Sequence, residues 1–501
     1  MAGSVSQFAF VVCFCTFTCN ATPHYIGSAA CRPCHEQIAA AYQATPMAQS
    51  SGTLTTDLPP GEVNHKPSHT RYRIEGRAVH FSSESRPLRY FIGSLAQGRS
   101  FLFESAGFLF LAPVTWYAER ARWDMSPGFE QARLNLWNRP IEPNCLFCHS
   151  TRPQPIYGTQ NRYADPPFAE AGIGCERCHG PGSDHAATRA PIVHPGKLAP
   201  AERDAICAQC HLTGLARIDR PGQQLAMYRP GLRLDTFVSV FVAANPQGLR
   251  VTSHGETLAY SACRKSAGEK LWCGSCHDAH RVPAPADRQA WFRVRCLQCH
   301  AAKLPPEHAA RAACIDCHMP RSQASDGNHG VFTDHTIPKT RPAKPAQPTR
   351  DRTLIPFPGF ASDNRMLGLA YAEAALESND TTQRRSALQL LRAALPSNPS
   401  DWNLLTRLAY LEEPATALPL YERSLQIKPQ QPAALTNAGA LHARQGDLPK
   451  AIEYWRRALA MNPGLTEASR NLATALEASG DTAAAREVLR QATLFAPGVL
   501  P

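Results

Sequence analysis

Seven times along this chain a Cys-x-x-Cys pair is followed at once by histidine. The copies are Cys31/Cys34/His35, Cys145/Cys148/His149, Cys175/Cys178/His179, Cys207/Cys210/His211, Cys273/Cys276/His277, Cys296/Cys299/His300 and Cys314/Cys317/His318. Thiols at this spacing can each add to one vinyl group of the same porphyrin, and the adjoining histidine reaches its iron. Zinc ribbons also use Cys-x-x-Cys, but they do not need a histidine after the second cysteine. A disulfide framework fits no better, since cysteines so close rarely bridge a large domain. The pattern predicts seven covalently bound c-type haems and their iron. From Cys145 to about His335 the chain is rich in Gly and Pro, so the haems are expected to supply the apolar bulk that side chains do not.

The chain opens on an apolar run, Phe8 to Phe17, within residues 1–21 that contain no Asp or Glu. It is too short to span a bilayer and suits a signal-peptide core. Residues 1–21 are therefore expected to be a leader, cut near Cys19-Asn20-Ala21, with lipidation of Cys19 as the alternative. The expected location is periplasmic or otherwise extracytoplasmic, where haem is attached, with no transmembrane span in the mature chain. Of 18 cysteines, fourteen belong to the motifs and three lie in the leader, which leaves Cys263. The net charge of +11 suggests nucleic acid at first. Each ferric c-haem contributes roughly −1 through its propionates, which brings the holoprotein near ~+4 and argues for basic groups that hold propionates.

Glu36 to Ala44 reads as a short helix. Tyr72, Ile74, Val79 and Phe81 alternate around Glu75-Gly76, and Phe101/Phe103 face Phe108/Phe110 across Ser105-Ala106-Gly107, both hairpin signals. Residues 60–140 are thus expected to be a β-rich insertion, with Trp116, Trp123 and Trp137 packed on it or on porphyrin faces. Leu232–Val242 is the other candidate strand or buried helix.

Twelve histidines lie outside the motifs, enough to give most irons a second imidazole. The preferred distal set is His65, His185, His254, His280, His329 and His335. His24, His69, His80, His194 and His308 are weaker candidates, and His442, in a helical repeat, reads as structural.

The stretch Tyr25-Ile-Gly-Ser-Ala-Ala-Cys31-Arg-Pro-Cys34-His35, followed by Thr45-Pro-Met47-Ala-Gln-Ser50, resembles the opening of multihaem cytochromes related to the tetrahaem cytochrome c of ammonia oxidisers. Cys175-Glu-Arg-Cys178-His179-Gly-Pro-Gly and Asn328-His329-Gly-Val-Phe-Thr-Asp-His335 are similar to the same superfamily. The resemblance spans about residues 24–340. Related sequences often carry histidine where this one has Met47, so the resemblance implies either a His/Met haem of raised potential or a core methionine.

Thr336 to Phe360 holds six prolines and is expected to be a semi-rigid linker. Beyond it Ala387, Ala417, Ala451 and Ala485 recur at intervals of 30, 34 and 34, and Pro399, Pro429, Pro463 and Pro497 keep the same period. Gly439, Trp455 and Ala458 fit the tetratricopeptide (TPR) pattern, so residues 361–501 are expected to form about four helix pairs, the second shortened near Glu412-Glu413-Pro414. The array lacks a solvating cap, so its end either packs on the haem domain or meets a partner. The expected fold class is multidomain. A haem-packed, mostly irregular or short-helix cytochrome c domain (22–335) with a β-rich insertion is followed, after a linker (336–360), by an all-α TPR solenoid.

Two functions follow. One is an electron carrier between redox partner proteins, docked through the TPR domain. The other is a reductase or oxidase of a small nitrogen compound, nitrite or hydroxylamine, at a five-coordinate haem. The chain has no Cys-x-x-Cys-Lys motif, the mark of ammonia-forming nitrite reductases, and no catalytic residue is singled out. Axial ligation decides between them.

Overall fold

The computed structural model describes residues 22–94, 96–133, 137–245, 248–301, 304, 308, 313–339 and 352–497. The expected leader, linker residues 340–351 and the side chain of His329 lie outside the described residues.

After the short helix Glu36–Gln43, nine strands follow: β1 (Ser51–Thr53), β2 (Gly61–His65), β3 (Thr70–Glu75), β4 (Ala78–Phe81), β5 (Glu84–Pro87), β6 (Tyr90–Ile92), β7 (Gly98–Ser105), β8 (Phe108–Tyr117) and β9 (Arg122–Met125). They form two antiparallel sheets, ordered β2-β3-β4-β5 and β1-β6-β7-β8-β9. The hairpin signals are met in register: Tyr72 lies opposite Phe81, Ile74 opposite Val79, and Phe103 opposite Phe110. Strict alternation of buried and exposed residues along β3 gives one apolar face. That face shares a core with Phe101, Phe103, Phe110 and Trp123 of the other sheet. Trp137 is fully buried in it, stacked on Phe81 at 4.6 Å between ring centres.

The chain then carries motifs 2 to 7 on short helices and turns, among them Pro143–His149, Pro200–His211, Arg288–His300 and Cys314–His318. Three small sheets punctuate it. One pairs β10 (Thr151–Pro155) with β11 (Tyr163–Glu170), and another pairs β14 (Arg321–Ala324) with β15 (Gly327–Thr333). The third joins β12 (Ala216–Asp219), β13 (Val238–Ala243) and β16 (Leu354–Pro356). The end of the Pro-rich stretch is therefore a strand: Leu354, Ile355 and Pro356 pair with Ala243, Val242 and Phe241.

The C-terminal region is eight helices in four antiparallel pairs: Asn364–Ser378 with Thr381–Ala394, Trp402–Leu411 with Pro414–Ile427, Pro432–Arg444 with Leu448–Met461, and Thr466–Ala478 with Thr482–Ala492. Aspartates set the starts, because their carboxylates accept the free first-turn N–H groups: Asp363, Asp380, Asp401, Asp447 and Asp481 all cap a helix. The shortened second pair begins on a ten-residue helix that ends at Leu411, and Pro414 opens the next. A Cβ added to Gly439 would lie 2.8 Å from Trp455 Nε1, so that crossing accepts only glycine.

Both ends of this array are covered by strands of the first half. At its start, Ala216, Ile218, Phe241 and Leu354 share one core with Met366, Leu369 and Ala370. Arg365 donates to Asp219 O (3.1 Å) and pairs with Asp401. At its end, Phe495 enters the core of the two-sheet insertion, 4.9 Å from Phe110 between ring centres. Trp137 N donates to Phe495 O (2.8 Å), Arg86 to Leu494 O (2.7 Å) and Gln160 N to Met461 O (3.0 Å). The expected choice between packing on the first half and meeting a partner thus falls, for this end, on packing.

Candidate functional site

A single cavity of about 3200 Å³ runs through the first half, and residues of all seven Cys-x-x-Cys-His motifs line it. An ordinary small-molecule pocket measures about 300–1,000 Å³, so this space is several-fold larger than one ligand needs.

Local chemistry holds the motifs in place. Glu176, inside motif 3, is buried, and its carboxylate accepts from Ile26 N (3.0 Å), Gly27 N (2.7 Å) and Gly182 N (2.8 Å). This ties the approach to motif 1 onto motif 3, where the Cys31 and Cys175 thiols are neighbours. Neighbouring thiols also join motif 2 to 4 (Cys148 with Cys210), 4 to 5 (Cys207 with Cys273) and 6 to 7 (Cys296 with Cys314). Ser50 sits with its hydroxyl 2.8 Å from both Met47 O and His149 O, which brings Met47 beside motif 2.

The histidines divide by what their ring nitrogens do. His179, His185, His318 and His335 each donate Nδ1–H to a backbone carbonyl: Val193 (2.8 Å), Ala190 (2.8 Å), Pro338 (2.8 Å) and Thr333 (3.0 Å). That fixes the tautomer with Nε2 as the lone-pair nitrogen, the arrangement in which imidazole binds a metal. His254 is half-buried among His211, His277 and His335, and its shielded Nδ1 has no hydrogen-bond partner. Burial pushes His254 down to about 3 and His277 to about 4, and it lowers His149, His179, His211 and His335 as well. All are therefore neutral at pH 7, the form a metal requires.

Five motif histidines have a second imidazole close by. The ring centres lie 6.3 Å apart for His35 and His185, 6.0 Å for His179 and His280, 5.6 Å for His211 and His254, 6.2 Å for His277 and His335, and 6.5 Å for His318 and His308. Metal–imidazole bonds are about 2 Å long, so two rings on opposite sides of one metal have centres roughly 6 Å apart. Donor set, tautomers and ring separations thus fit a c-type haem whose iron has an imidazole on each side. Such a group supplies one-electron redox chemistry.

The remaining candidates are placed differently. His65 is buried on β2, away from the cavity, and uses both nitrogens: Nε2–H donates to Glu130 O (3.0 Å) and Nδ1 accepts from Ser68 (2.7 Å). His442 is likewise engaged, by Glu422 (3.1 Å) and Asp447 (3.5 Å). His329 lies on β15, and nothing is described of its side chain. His308, ranked low from sequence, stands beside His318; no spacing rule marks it, because the pairing comes from the fold. Glu176 was also missed, although a carboxylate inside a Cys-x-x-Cys pair and followed by Gly-Pro-Gly is the one signal that could have found it. For His149 and His300 no second imidazole stands at such a separation among the described residues.

The family model for cytochrome c554 and c-prime matches residues 122–180, which span β9 to motif 3. Two tetratricopeptide-repeat models match residues 403–465 and 442–499. The C-terminal region is a TPR array. The multiheme cytochrome MtrA of Shewanella baltica is 25% identical over 221 residues, covering 38% of this chain and 66% of that protein, just under two thirds of its length. The solved structure of MamA is similar at 17% identity, with a TM-score of 0.23, over 26% of this chain and 77% of that one. YrrB, described as a TPR protein with an unusual peptide-binding site, is 21% identical with a TM-score of 0.23, over 26% of this chain and 70% of its own. The first half is thus similar in part to multihaem cytochromes, and the second half to tetratricopeptide-repeat proteins. Among the described residues no helix is long and apolar enough to cross a membrane.

Proposed function

We propose that this chain is an exported heptahaem c-type cytochrome that carries electrons between protein partners in an extracytoplasmic compartment. Its TPR array serves protein docking. The fourteen motif cysteines would bind the seven haems covalently and the seven motif histidines would take one axial position on each. His185, His280, His254, His335 and His308 would take the second position at motifs 1, 3, 4, 5 and 7. The kinship with the tetrahaem cytochromes of ammonia oxidisers rests on the sequence resemblance and the matched family segment.

The observation that carries this reading is the set of five imidazole pairs, 5.6 to 6.5 Å apart, on one continuous cavity. Iron closed on both sides passes electrons and binds no substrate. With Cys178 near Cys207 and Cys276 near Cys296 added to the pairs above, neighbouring thiols support a path through motifs 1, 3, 4, 5, 6 and 7 with motif 2 beside motif 4. The matching test is the EPR and visible spectrum of the ferric protein, with carbon monoxide added after reduction. Five or more low-spin haems per chain are expected. A high-spin majority would sink the carrier reading. A single stoichiometric high-spin haem that binds carbon monoxide would favour the second reading, reduction or oxidation of a small nitrogen compound. Motifs 2 and 6 are the places to look for it, since His149 and His300 carry no described imidazole partner.

A further inference from the structure

We propose that Tyr25, Arg152 and Arg229 form a docking point, on the outer wall of the cavity beside motifs 1 and 3, for an acidic segment of a partner protein. That the partner exchanges electrons rests on the carrier reading above; the docking chemistry does not.

The site is a ring held between two cations. The guanidinium of Arg152 lies 5.6 Å from the centre of the Tyr25 ring, and that of Arg229 lies 5.7 Å from it. Both arginines are exposed, and neither pairs with a carboxylate among the described residues. The Tyr25 hydroxyl has no hydrogen bond among them either. Carboxylates on the inner side are engaged elsewhere: Glu176 accepts from Ile26, Gly27 and Gly182 N–H, and Glu170 from Ser28 N–H. Two guanidinium forks flanking a phenol suit carboxylates, which accept such N–H groups in pairs.

Both cations are held in place before anything binds. Arg229 Nη1 donates to Ala226 O (2.9 Å) and to Tyr228 O (2.8 Å). Arg152, on β10, has a φ of 52°, a left-handed conformation that a residue other than glycine keeps only where its surroundings impose it. A fork fixed in advance loses less freedom on binding.

Position decides what the site takes. Ile26 lines the cavity, whereas Tyr25, Arg152 and Arg229 do not, so the occupant comes from outside rather than from a group held within. The loop that carries Arg229 also exposes Met227 (47%) and Leu232 (45%), apolar surface that a lone small anion would leave wet. Arg, Tyr and Met are residue types that protein interfaces favour. Tyr25 adjoins the Ile26-Gly27 segment that Glu176 ties to motif 3, and Cys34 of motif 1 is exposed. A partner docked here stands at the first member of the thiol path.

The experiment titrates a fluorescent octaglutamate peptide onto the full-length holoprotein and reads polarisation, with octalysine as the control. Octaglutamate is expected to bind, more weakly as salt rises, and octalysine not to bind. Arg229→Glu should weaken octaglutamate by about tenfold or more. Arg152→Gly should weaken it too, while the melting temperature stays level or rises, because glycine suits that φ. Its loss of binding therefore cannot come from unfolding, and it decides the matter if Arg229→Glu fails to fold. A wild-type chain that ignores octaglutamate, or variants that bind it as wild type does, overturn the proposal. Acetate that displaces the peptide at the peptide's own carboxylate concentration also overturns it, by making this a small-anion site. A chain without any haem band would sink the carrier reading, whereas a haem-loaded chain whose peptide binding ignores both arginines sinks this one alone.

Discussion

Residues 250–339 and residues 352–497 are stabilised by different means. The second stretch has two clusters of buried side chains running through its four helix pairs, from Leu369 through Leu404 and Leu435 to Leu472. The first holds three of the seven motifs, yet none of its described residues joins any of the four apolar clusters in the molecule. Its secondary structure is in place, but what packs against it is the cavity. The solenoid is thus a core made of side chains. The motif-rich stretch is expected to be a shell around a core that the haems provide, since the chain must beat about 1–2 kcal/mol of backbone entropy per ordered residue from some apolar contact.

Haem-free protein should break this comparison most visibly. Made without haem attachment, residues 250–339 should lose amide protection entirely in hydrogen exchange, while the solenoid stays protected. Equal protection in both would mean that side chains alone hold the first stretch. Next in size is Phe110→Ala, which opens a hole under Phe495 where the halves meet. It should cost about 3–5 kcal/mol in chemical unfolding, as large-to-small changes of a buried Phe do. Gly439→Ala should cost about 1–3 kcal/mol by forcing a methyl against Trp455, and it should leave every haem midpoint in place. Met47→His should move only one midpoint, downward, if Met47 serves the haem beside His149; an unchanged titration returns it to the core. Smallest is His65→Gln. Its hydrogen bonds to Ser68 and Glu130 suggest a loss of about 1 kcal/mol and no midpoint change. A shifted midpoint would bring it back among the ligands.

How much could be read in advance differs between the halves for the same physical reason. Helix pairs repeat a local pattern, so Pro399, Pro429 and Pro463 announced the loops, and Glu412-Glu413-Pro414 announced the short second pair. The hairpins around Gly76 and Gly107 were legible because alternation and a turn residue are local signals; Gly76 and Gly107 both adopt positive φ. Thiol spacing likewise marked all seven motifs. The partner of each motif histidine was less legible, because pairs such as His35 with His185 join residues 150 positions apart, a distance no spacing rule covers. His65 looked like its rivals in sequence and differs only in having both nitrogens taken. The strand Leu354–Pro356 was hidden inside a proline-rich run, since its pairing with β13 depends on a partner about 110 residues earlier.

The covered ends of the solenoid constrain how this chain can change. Open repeat arrays lengthen and shorten readily, because each unit touches only its neighbours and a duplicated unit simply adds to the stack. Here the first helix is pinned on Ile218 and Phe241 and the last turn on Phe110 and Trp137. Duplicating one helix pair would carry Phe495 off its seat or pull Met366 from its own. Repeat number is therefore set by the span between two anchors on the first half, and descendants of this chain can vary the loops and faces of the arch but not its count.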